Sequence, residues 1–84
     1  MSDSNINIAG LVEELIKPLV EFPDEVATTT TETEDGSTLI EVQVNPEDVG
    51  RVIGRQGRVI KSIRTLCRAA GSRNGLNIEV ELLD

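Results

Sequence analysis

The segment Gly54–Gly57 (Gly-Arg-Gln-Gly) lies between two stretches that are predicted to be helical. The second half of the chain must therefore contain two helices joined by a short glycine turn. The first stretch starts at Asn45–Asp48, where Asn serves as the cap, Pro takes the first helical position and acids follow in the first turn. Its helix is short, because the first glycine of the turn ends it. A second helix is predicted from about Arg58 to Ala70, with Gly71 as its C-terminal stop.

The residue types in this turn predict a clamp for a sugar-phosphate backbone. Gly54 can leave the first helix with a positive φ, and Gly57 lets a ligand backbone approach without meeting a Cβ. The next helix then directs unpaired N–H groups and the positive end of its dipole at the same spot. Arg51, Arg55 and Arg58 surround the turn with guanidinium groups suited to phosphate.

The remaining patterns predict one further helix and three strands, in the overall order α-β-β-α-α-β. An amphipathic helix covers residues 8–20, with Asn5 or Asn7 as its cap, and strands cover residues 25–33, 38–44 and 78–82. Asp35-Gly36 is a hairpin dipeptide, so the first two strands should pair antiparallel. A flexible polar loop is the alternative for the threonine run of the first strand. The fold class is therefore α+β, with a three-stranded sheet packed against helices.

Basic residues are concentrated in one window of the chain. Seven of the eight lie between positions 51 and 73, where no acid occurs, so this window carries +7 and the remainder −14. A chain polarised in this way has one surface suited to a polyanion and another that repels it. The alternative interpretation of the window is an ordinary solvated helix face.

A helical wheel of the second helix separates an apolar arc from a basic arc. The apolar arc, which we assign to the core, contains Val59, Ile60, Ile63, Leu66, Cys67 and Ala70. The basic arc predicts a positive stripe along the outer face, behind the clamp, and contains Arg58, Lys61, Arg64 and Arg68. Phe22, the one aromatic residue, is expected to pack into the core at the exit of the N-terminal helix.

Composition excludes several kinds of chemistry. The chain has no His and a single Cys, so we predict no catalytic residue, no metal site and no cofactor. One thiol also precludes a disulfide within the chain, which favours a reducing compartment. Residues 1–7 show no signal-peptide pattern, and the apolar stretch 8–20 is too short and too charged to span a bilayer. We therefore expect a cytoplasmic protein without a membrane partner.

Residues 49–64 closely resemble the signature of the K-homology (KH) domain, in which Ile-Gly-x-x-Gly joins two helices and spaced aliphatic residues follow. The element order resembles the type II, prokaryotic, KH arrangement. Residues 8–83 are similar to the small bacterial KhpA-type single-KH proteins, and the shared motifs lie at Pro23–Val26, Pro46–Gly50 and Gly57–Thr65.

This resemblance predicts a single type II KH domain over residues 8–84, preceded by a short flexible extension, residues 1–7. The chain departs from the family in that extension and in the run Thr28–Thr31.

The resemblance implies that the protein binds single-stranded RNA. A KH cleft holds about four unpaired nucleotides, with the backbone against the Gly-x-x-Gly turn and the bases over an aliphatic floor. By position, the RNA-binding residues would be Gly54, Arg55, Gln56 and Gly57 in the turn, and Arg51, Ile53, Arg58, Lys61 and Arg64 around it. The floor would be formed by Ile40, Val42, Val52, Ile53, Val59 and Ile60.

The family is also known to self-associate and to pair with a larger KH-containing protein, acting on cellular RNA and influencing cell shape. The resemblance thus implies an RNA chaperone or post-transcriptional regulator, as a homodimer or as a heterodimer with such a protein. A second module would add avidity to one small cleft.

Other functions are compatible with parts of the sequence. A structural adaptor would act through protein contacts, with the basic stripe merely solvated, and single-stranded DNA is an alternative ligand to RNA. A nucleotide-binding or phosphoryl-transfer enzyme is disfavoured, because the glycine turn has neither the Gly-Lys-Ser/Thr of a P-loop nor a dinucleotide fingerprint.

Overall fold

The computed structural model describes residues 7–83 and confirms the predicted order of helices and strands. The α-helices are α1 (Ile8–Ile16), α2 (Val49–Ile53) and α3 (Arg58–Ser72), and the strands are β1 (Ala27–Glu32), β2 (Thr38–Gln43) and β3 (Ile78–Leu83). Single turns of 3-10 helix occupy Lys17–Leu19, Pro23–Glu25, Pro46–Asp48 and Arg55–Gly57. The predicted extension, residues 1–7, lies outside the described residues except for Asn7.

Helix α1 begins at a side-chain cap and ends just before a proline. Asn7 Oδ1 accepts a hydrogen bond from the backbone N–H of Gly10 at 2.9 Å, while the other candidate cap, Asn5, lies outside the described residues. The α-helix is shorter than predicted, because Pro18 lacks an N–H and the chain tightens into a 3-10 turn. Its buried stripe consists of Ile8, Val12 and Ile16.

The three strands form one sheet in the spatial order β1-β2-β3. β1 and β2 pair antiparallel across a hairpin in which Gly36 has a φ of +88°, so the threonine run is a strand and not a loop. β2 and β3 pair in parallel, which requires the crossover that α2 and α3 provide. Ile40, Val42 and Val80 face the helices and are buried, whereas Glu79 on the other face is exposed.

The core lies between the sheet and the helices. It contains Ile8, Val12, Ile16, Ile40, Val42, Val44, Val52, Ile60, Ile63, Cys67, Ile78 and Val80. Cys67 is a core residue, as predicted, and burial raises the pKa of its thiol above the ordinary value. Among the described residues, no helix is long and apolar enough to cross a membrane.

Two residues that we predicted for the core lie at the surface. Leu66 is 53% exposed, because the buried stripe of α3 is narrow and passes through Ile63 and Cys67 instead. Phe22 is 36% exposed. The segment around Phe22 is held by its backbone, whose N–H donates a hydrogen bond to Asp48 Oδ2, so its ring does not have to enter the core.

The predicted stop of α3 at Gly71 is wrong. Gly71 lies inside the helix and is buried, and a Cβ at this position would overlap the side chain of Ile78. Its glycine therefore serves close packing of α3 against β3. The chain turns out of the helix at Gly75, which has a φ of +74°, and the N–H of Leu76 donates to the Gly71 carbonyl at 2.9 Å.

Candidate nucleic-acid interface

The turn between α2 and α3 has a positive φ at three of its four positions. Gly54 has a φ of +78°, Gln56 of +57° and Gly57 of +74°, and the Gly57 N–H donates to the Gly54 carbonyl at 3.2 Å. Gln56 is the one non-glycine residue with a positive φ among residues 7–83. The positive φ predicted for Gly54 is confirmed, and the chain reverses between the two helices within one short turn.

The two glycines of this turn are needed for different reasons. A Cβ on Gly54 would collide with the side chain of Val59 at the start of α3, so Gly54 allows α2 and α3 to approach each other. A Cβ on Gly57 would meet no atom within 4 Å, so Gly57 faces open space. Gly57 directly precedes α3, whose N-terminus carries no side-chain cap. The accessible side of the turn therefore presents backbone and the positive end of a helix dipole.

Three cations lie on or next to the turn with their charges available. Arg55 and Lys61 are exposed, and within residues 7–83 their side chains make no hydrogen bond or ion pair. Arg58 is also exposed, and its Nη2 donates to Gln56 Oε1 at 3.0 Å, a neutral partner that leaves the guanidinium charge uncompensated. Arg55 thus lies in the turn itself, Arg58 begins α3, and Lys61 follows about one helical turn later.

Arg51 is held in an ion pair instead of facing the turn freely. Its Nη1 lies 3.0 Å from Asp48 Oδ1 and donates to the Glu47 carbonyl at 3.2 Å, and its Nη2 lies 3.7 Å from Glu21 Oε1. Asp48 is fully buried. The charge that we predicted to face phosphate is therefore largely neutralised by carboxylates of this chain.

Sequence reasoning placed Asp48 in a helix first turn and missed its contacts. Asp48 also accepts the backbone N–H groups of Glu21 and Phe22, each at 3.0 Å. Burial acts to raise the pKa of this carboxyl, but the two N–H donors and the guanidinium of Arg51 outweigh burial and hold the pKa below its ordinary 3.8. The three-residue spacing of Asp48 and Arg51 on one helical segment was the signal available in the sequence.

The predicted basic stripe of α3 divides into two halves. In the half far from the turn, Arg64 Nε donates to the Val80 carbonyl at 3.1 Å, and Arg68 Nη2 lies 3.0 Å from Glu79 Oε1. These two side chains attach α3 to β3. In the half next to the turn, Arg58 and Lys61 stay available.

Most of the predicted aliphatic floor belongs to the core. Ile40, Val42, Val52 and Ile60 are between 0 and 7% exposed, so little or none of their surface is available to a ligand. Ile53, at 36% exposure, and the half-buried Val59 do reach the surface on the two sides of the turn. A cavity of about 370 Å³ opens at the N-terminal end of α2 and is lined by Gln43, Val44, Pro46, Val49 and Leu83.

The order α-β-β-α-α-β, the mixed three-stranded sheet and the Gly-x-x-Gly turn between α2 and α3 define a type II KH domain. The same fold occurs in two crystal structures of the protein Era. One is a single-residue variant of Aquifex aeolicus Era bound to GDP.AlF4-, and the other is Era in complex with MgGDPNP and nucleotides 1506–1542 of 16S ribosomal RNA. Each matches with a TM-score of 0.62 and 22% identity over 89% of this chain, which spans under a third of the Era chains.

The chain belongs to the KhpA/KhpB KH-domain family, whose family model matches residues 9–82. Relatives named RNA-binding protein KhpA support this assignment. The protein of Listeria monocytogenes EGD-e is 46% identical over 88% of this chain and 96% of its own length. The proteins of Clostridium acetobutylicum and Borreliella burgdorferi are 42% and 40% identical, over 87% and 93% of this chain and 96% and 94% of their own lengths.

Proposed function

We propose that this protein binds single-stranded RNA, catalyses no reaction, and grips the RNA backbone at Gly54–Gly57. The observation that carries the proposal is an exposed turn that combines accessible backbone with three uncompensated cations. The KhpA relatives, which are named RNA-binding proteins and align along nearly their whole length, support the choice of RNA.

The electrostatics of the turn favour a polyanion over other ligands. Arg55, Arg58 and Lys61 lie within seven residues of one another, and no acid occurs between positions 51 and 73. A phosphate at Gly57 can approach the start of α3 closely, because no Cβ occupies that space. The proposed phosphate ligands are therefore Arg55, Arg58 and Lys61, whereas Arg51 and Arg64 act mainly by holding the site together.

Unpaired bases have apolar surface beside the turn. Ile53 precedes the turn and Val59 follows it, and both side chains are accessible. The cavity lined by Val49 lies at the other end of α2, which is five residues long, so the two ends are separated by about 6 Å. A neighbouring nucleotide of a gripped strand is within reach of this cavity. A duplex would keep its bases stacked, so we expect preference for unpaired RNA.

The biological role that we propose is that of an RNA chaperone or post-transcriptional regulator in the cytoplasm. A single cleft of this size binds weakly, and a second KH module in a homodimer, or in a heterodimer with a larger KH-containing protein, would raise the effective affinity. This expectation rests on the family resemblance.

The substitutions Arg55→Asp and Gln56→Asp, made together, test the proposed grip. They place two negative charges where phosphate is expected, so we predict a loss of single-stranded RNA binding by several kcal/mol, a factor well above tenfold. Both side chains are exposed, and Asp tolerates the positive φ of position 56, so the free energy of unfolding should change by about 0.5 kcal/mol or less. Fluorescence anisotropy with a labelled single-stranded RNA, together with urea unfolding, measures both quantities.

The matched control changes the net charge equally at a distance from the turn. Arg73→Glu with Thr31→Glu alters two exposed positions, one beyond the far end of α3 and one on β1. This variant should bind RNA within a few-fold of the parent. Unchanged binding by the Arg55/Gln56 variant, or equal losses in both variants, would show that Gly54–Gly57 is not the RNA site.

A further inference from the structure

The two edges of the sheet differ in how their backbone is protected. At the β3 edge, Arg64 Nε donates to the Val80 carbonyl, and the Arg68–Glu79 ion pair covers the same strand. At the β1 edge, the described structure shows no side chain bonded to the strand backbone. β1 has six residues with continuous pairing to β2, four of them threonine, and it contains no Pro, no Lys and no bulge. Proteins use Pro, Lys and bulges to block an edge, so β1 is open to a further strand.

The hydrogen-bond pattern shows which backbone groups β1 presents outward. Thr33 N–H donates to the Ser37 carbonyl at 2.8 Å, whereas Thr38 N–H points toward β3 and donates to the Asn77 carbonyl at 2.8 Å. Hydrogen-bonded pairs alternate along an antiparallel ladder. Thr28, Thr30 and Glu32 therefore direct their N–H and carbonyl groups away from β2.

A cleft that could hold a side chain of an added strand lies next to this open edge. Thr30 pairs with the buried Ile40 and so faces the helix side of the sheet, yet it is exposed. A cleft of about 140 Å³ opens there, with Ile8, Leu76 and Ile78 among its lining residues. This space suits one aliphatic side chain from a strand added beside β1.

The charge around β1 indicates what kind of strand fits. Lys17 is linked to β1 through Glu13, whose Oε1 lies 3.4 Å from Lys17 Nζ and whose Oε2 accepts from the Thr28 hydroxyl at 3.0 Å, so its charge is paired. Residues 18–50 contain nine acids and no basic residue. Among them, Glu32, Glu34 and Asp35 lie at the end of β1 or just after it and are exposed. A polyanion is repelled by this part of the surface, and so is β1 of a second copy, because it carries the same acids.

We propose that β1 is an acceptor edge for an extended basic segment of a partner protein, which adds to the sheet as a fourth strand. Backbone hydrogen bonds to Thr28, Thr30 and Glu32 supply affinity, as in other cases of strand addition. One aliphatic side chain enters the cleft beside Thr30, and Lys or Arg side chains meet the surrounding acids. The surface is independent of the Gly54–Gly57 turn, so a partner and RNA can be bound together.

The test uses an eight-residue synthetic peptide that alternates Val and Lys, added to the isotope-labelled full chain. We expect NMR shift changes confined to amides of β1 and of the cleft beside it. Thr30→Pro removes one outward N–H and should weaken peptide binding at least tenfold, whereas Thr30→Val keeps that N–H and should bind like the parent. RNA binding should be the same in all three proteins.

Two modified peptides keep the test valid even if Thr30→Pro impairs folding. One carries N-methyl groups on every Val and the other on every Lys, so each has lost the N–H donors of one of its edges. Strand addition predicts that one of them loses binding at least tenfold and the other retains it. If both N-methylated peptides bind like the unmodified one, binding is a simple charge effect and the proposal is wrong. The proposal is also wrong if both peptides lose binding or if the NMR shift changes lie outside β1 and its cleft. Pairing of β1 between two copies of the protein in the absence of peptide would likewise contradict it.

Discussion

Asp48 connects the segment that follows α1 to helix α2 through one buried carboxylate. It accepts backbone N–H groups from Glu21 and Phe22, in the segment that follows α1, and it pairs with Arg51 on α2. This arrangement orients the start of α2 and removes Arg51 from the set of freely available cations. At the scale of single residues, the site therefore depends on a carboxylate that is itself inaccessible to any ligand.

We predict that Asp48→Asn lowers stability at neutral pH and that its effect fades in acid. The pKa of Asp48 is lower in the folded chain than the ordinary 3.8, so its stabilising contribution is complete above that value and is lost as pH falls through the folded pKa. The donors of Glu21, Phe22 and Arg51 share the two carboxylate oxygens of Asp48, whereas Asn would offer them a single acceptor oxygen. Urea unfolding at pH 7 and near pH 2 measures the difference.

Asp24→Asn is the control for this prediction, because Asp24 is an exposed carboxylate close to the same segment. Its effect on the free energy of unfolding should be small at both pH values. A difference between parent and Asp48→Asn that stays constant from neutral to acidic pH would contradict the assigned role of the ionised carboxylate.

Among the secondary-structure elements, α2 and the turn to α3 contain three glycines that differ in φ and in the space around them. Gly54 combines a positive φ with a close approach to Val59, Gly57 combines a positive φ with open space, and Gly50 within α2 has open space without a positive φ. Gly54 also has a ψ of 176°, a backbone conformation restricted to glycine, whereas Gly57 has a ψ of 14°.

We predict a graded effect of three alanine substitutions on the free energy of unfolding. Gly57→Ala should cost about 1–2 kcal/mol for the left-handed conformation, and Gly54→Ala should cost more because its φ and ψ are restricted to glycine and because a Cβ there would overlap Val59. Gly50→Ala should stabilise the protein by roughly 0.5–1 kcal/mol, since Ala favours helix. Denaturant titrations of the three variants give the order, and a Gly54→Ala protein as stable as Gly57→Ala would contradict the proposed close approach.

At the scale of the whole molecule, charge is separated between two regions. The window between positions 51 and 73 carries +7 and the remainder −14, yet Arg51, Arg64 and Arg68 of that window are engaged within the protein. The surface that is available to a polyanion is thus smaller than the sequence count implies, and it is concentrated at the N-terminal end of α3.

This smaller surface predicts a modest dependence of RNA binding on salt. If Arg55, Arg58 and Lys61 each neutralise one phosphate, log K should fall with log salt at a slope near −2, from about −0.7 per contact on single strands. Lys61→Met should reduce the slope by about 0.7 and leave the fold intact, because this side chain is exposed. The slope is obtained from anisotropy titrations between low and moderate salt. A slope of roughly zero, or one of about −5 that would require every cation of the window, would contradict this assignment.

The local architecture follows from short patterns in the sequence. Apolar periodicity, the caps at Asn7 and Asn45, the hairpin at Gly36 and the break at Gly54 each depend on residues within one turn or a few positions of chain. Local conformational preferences are expressed in such short patterns, so the order of elements and the position of the glycine turn could be predicted without knowing what packs against what.

The side chains that the candidate site can use depend on contacts between distant parts of the chain. Arg51 and Arg64 look like Arg55 in the sequence, but their partners are Asp48 and the Val80 carbonyl, and Val80 lies on a strand that is brought beside α3 by a crossover. Contacts with distant residues also determine that Phe22 and Leu66 are exposed and that Gly71 packs against Ile78. Burial and ion pairing depend on groups that are distant along the chain. A periodic sequence pattern does not show which distant residue will contact a given side chain.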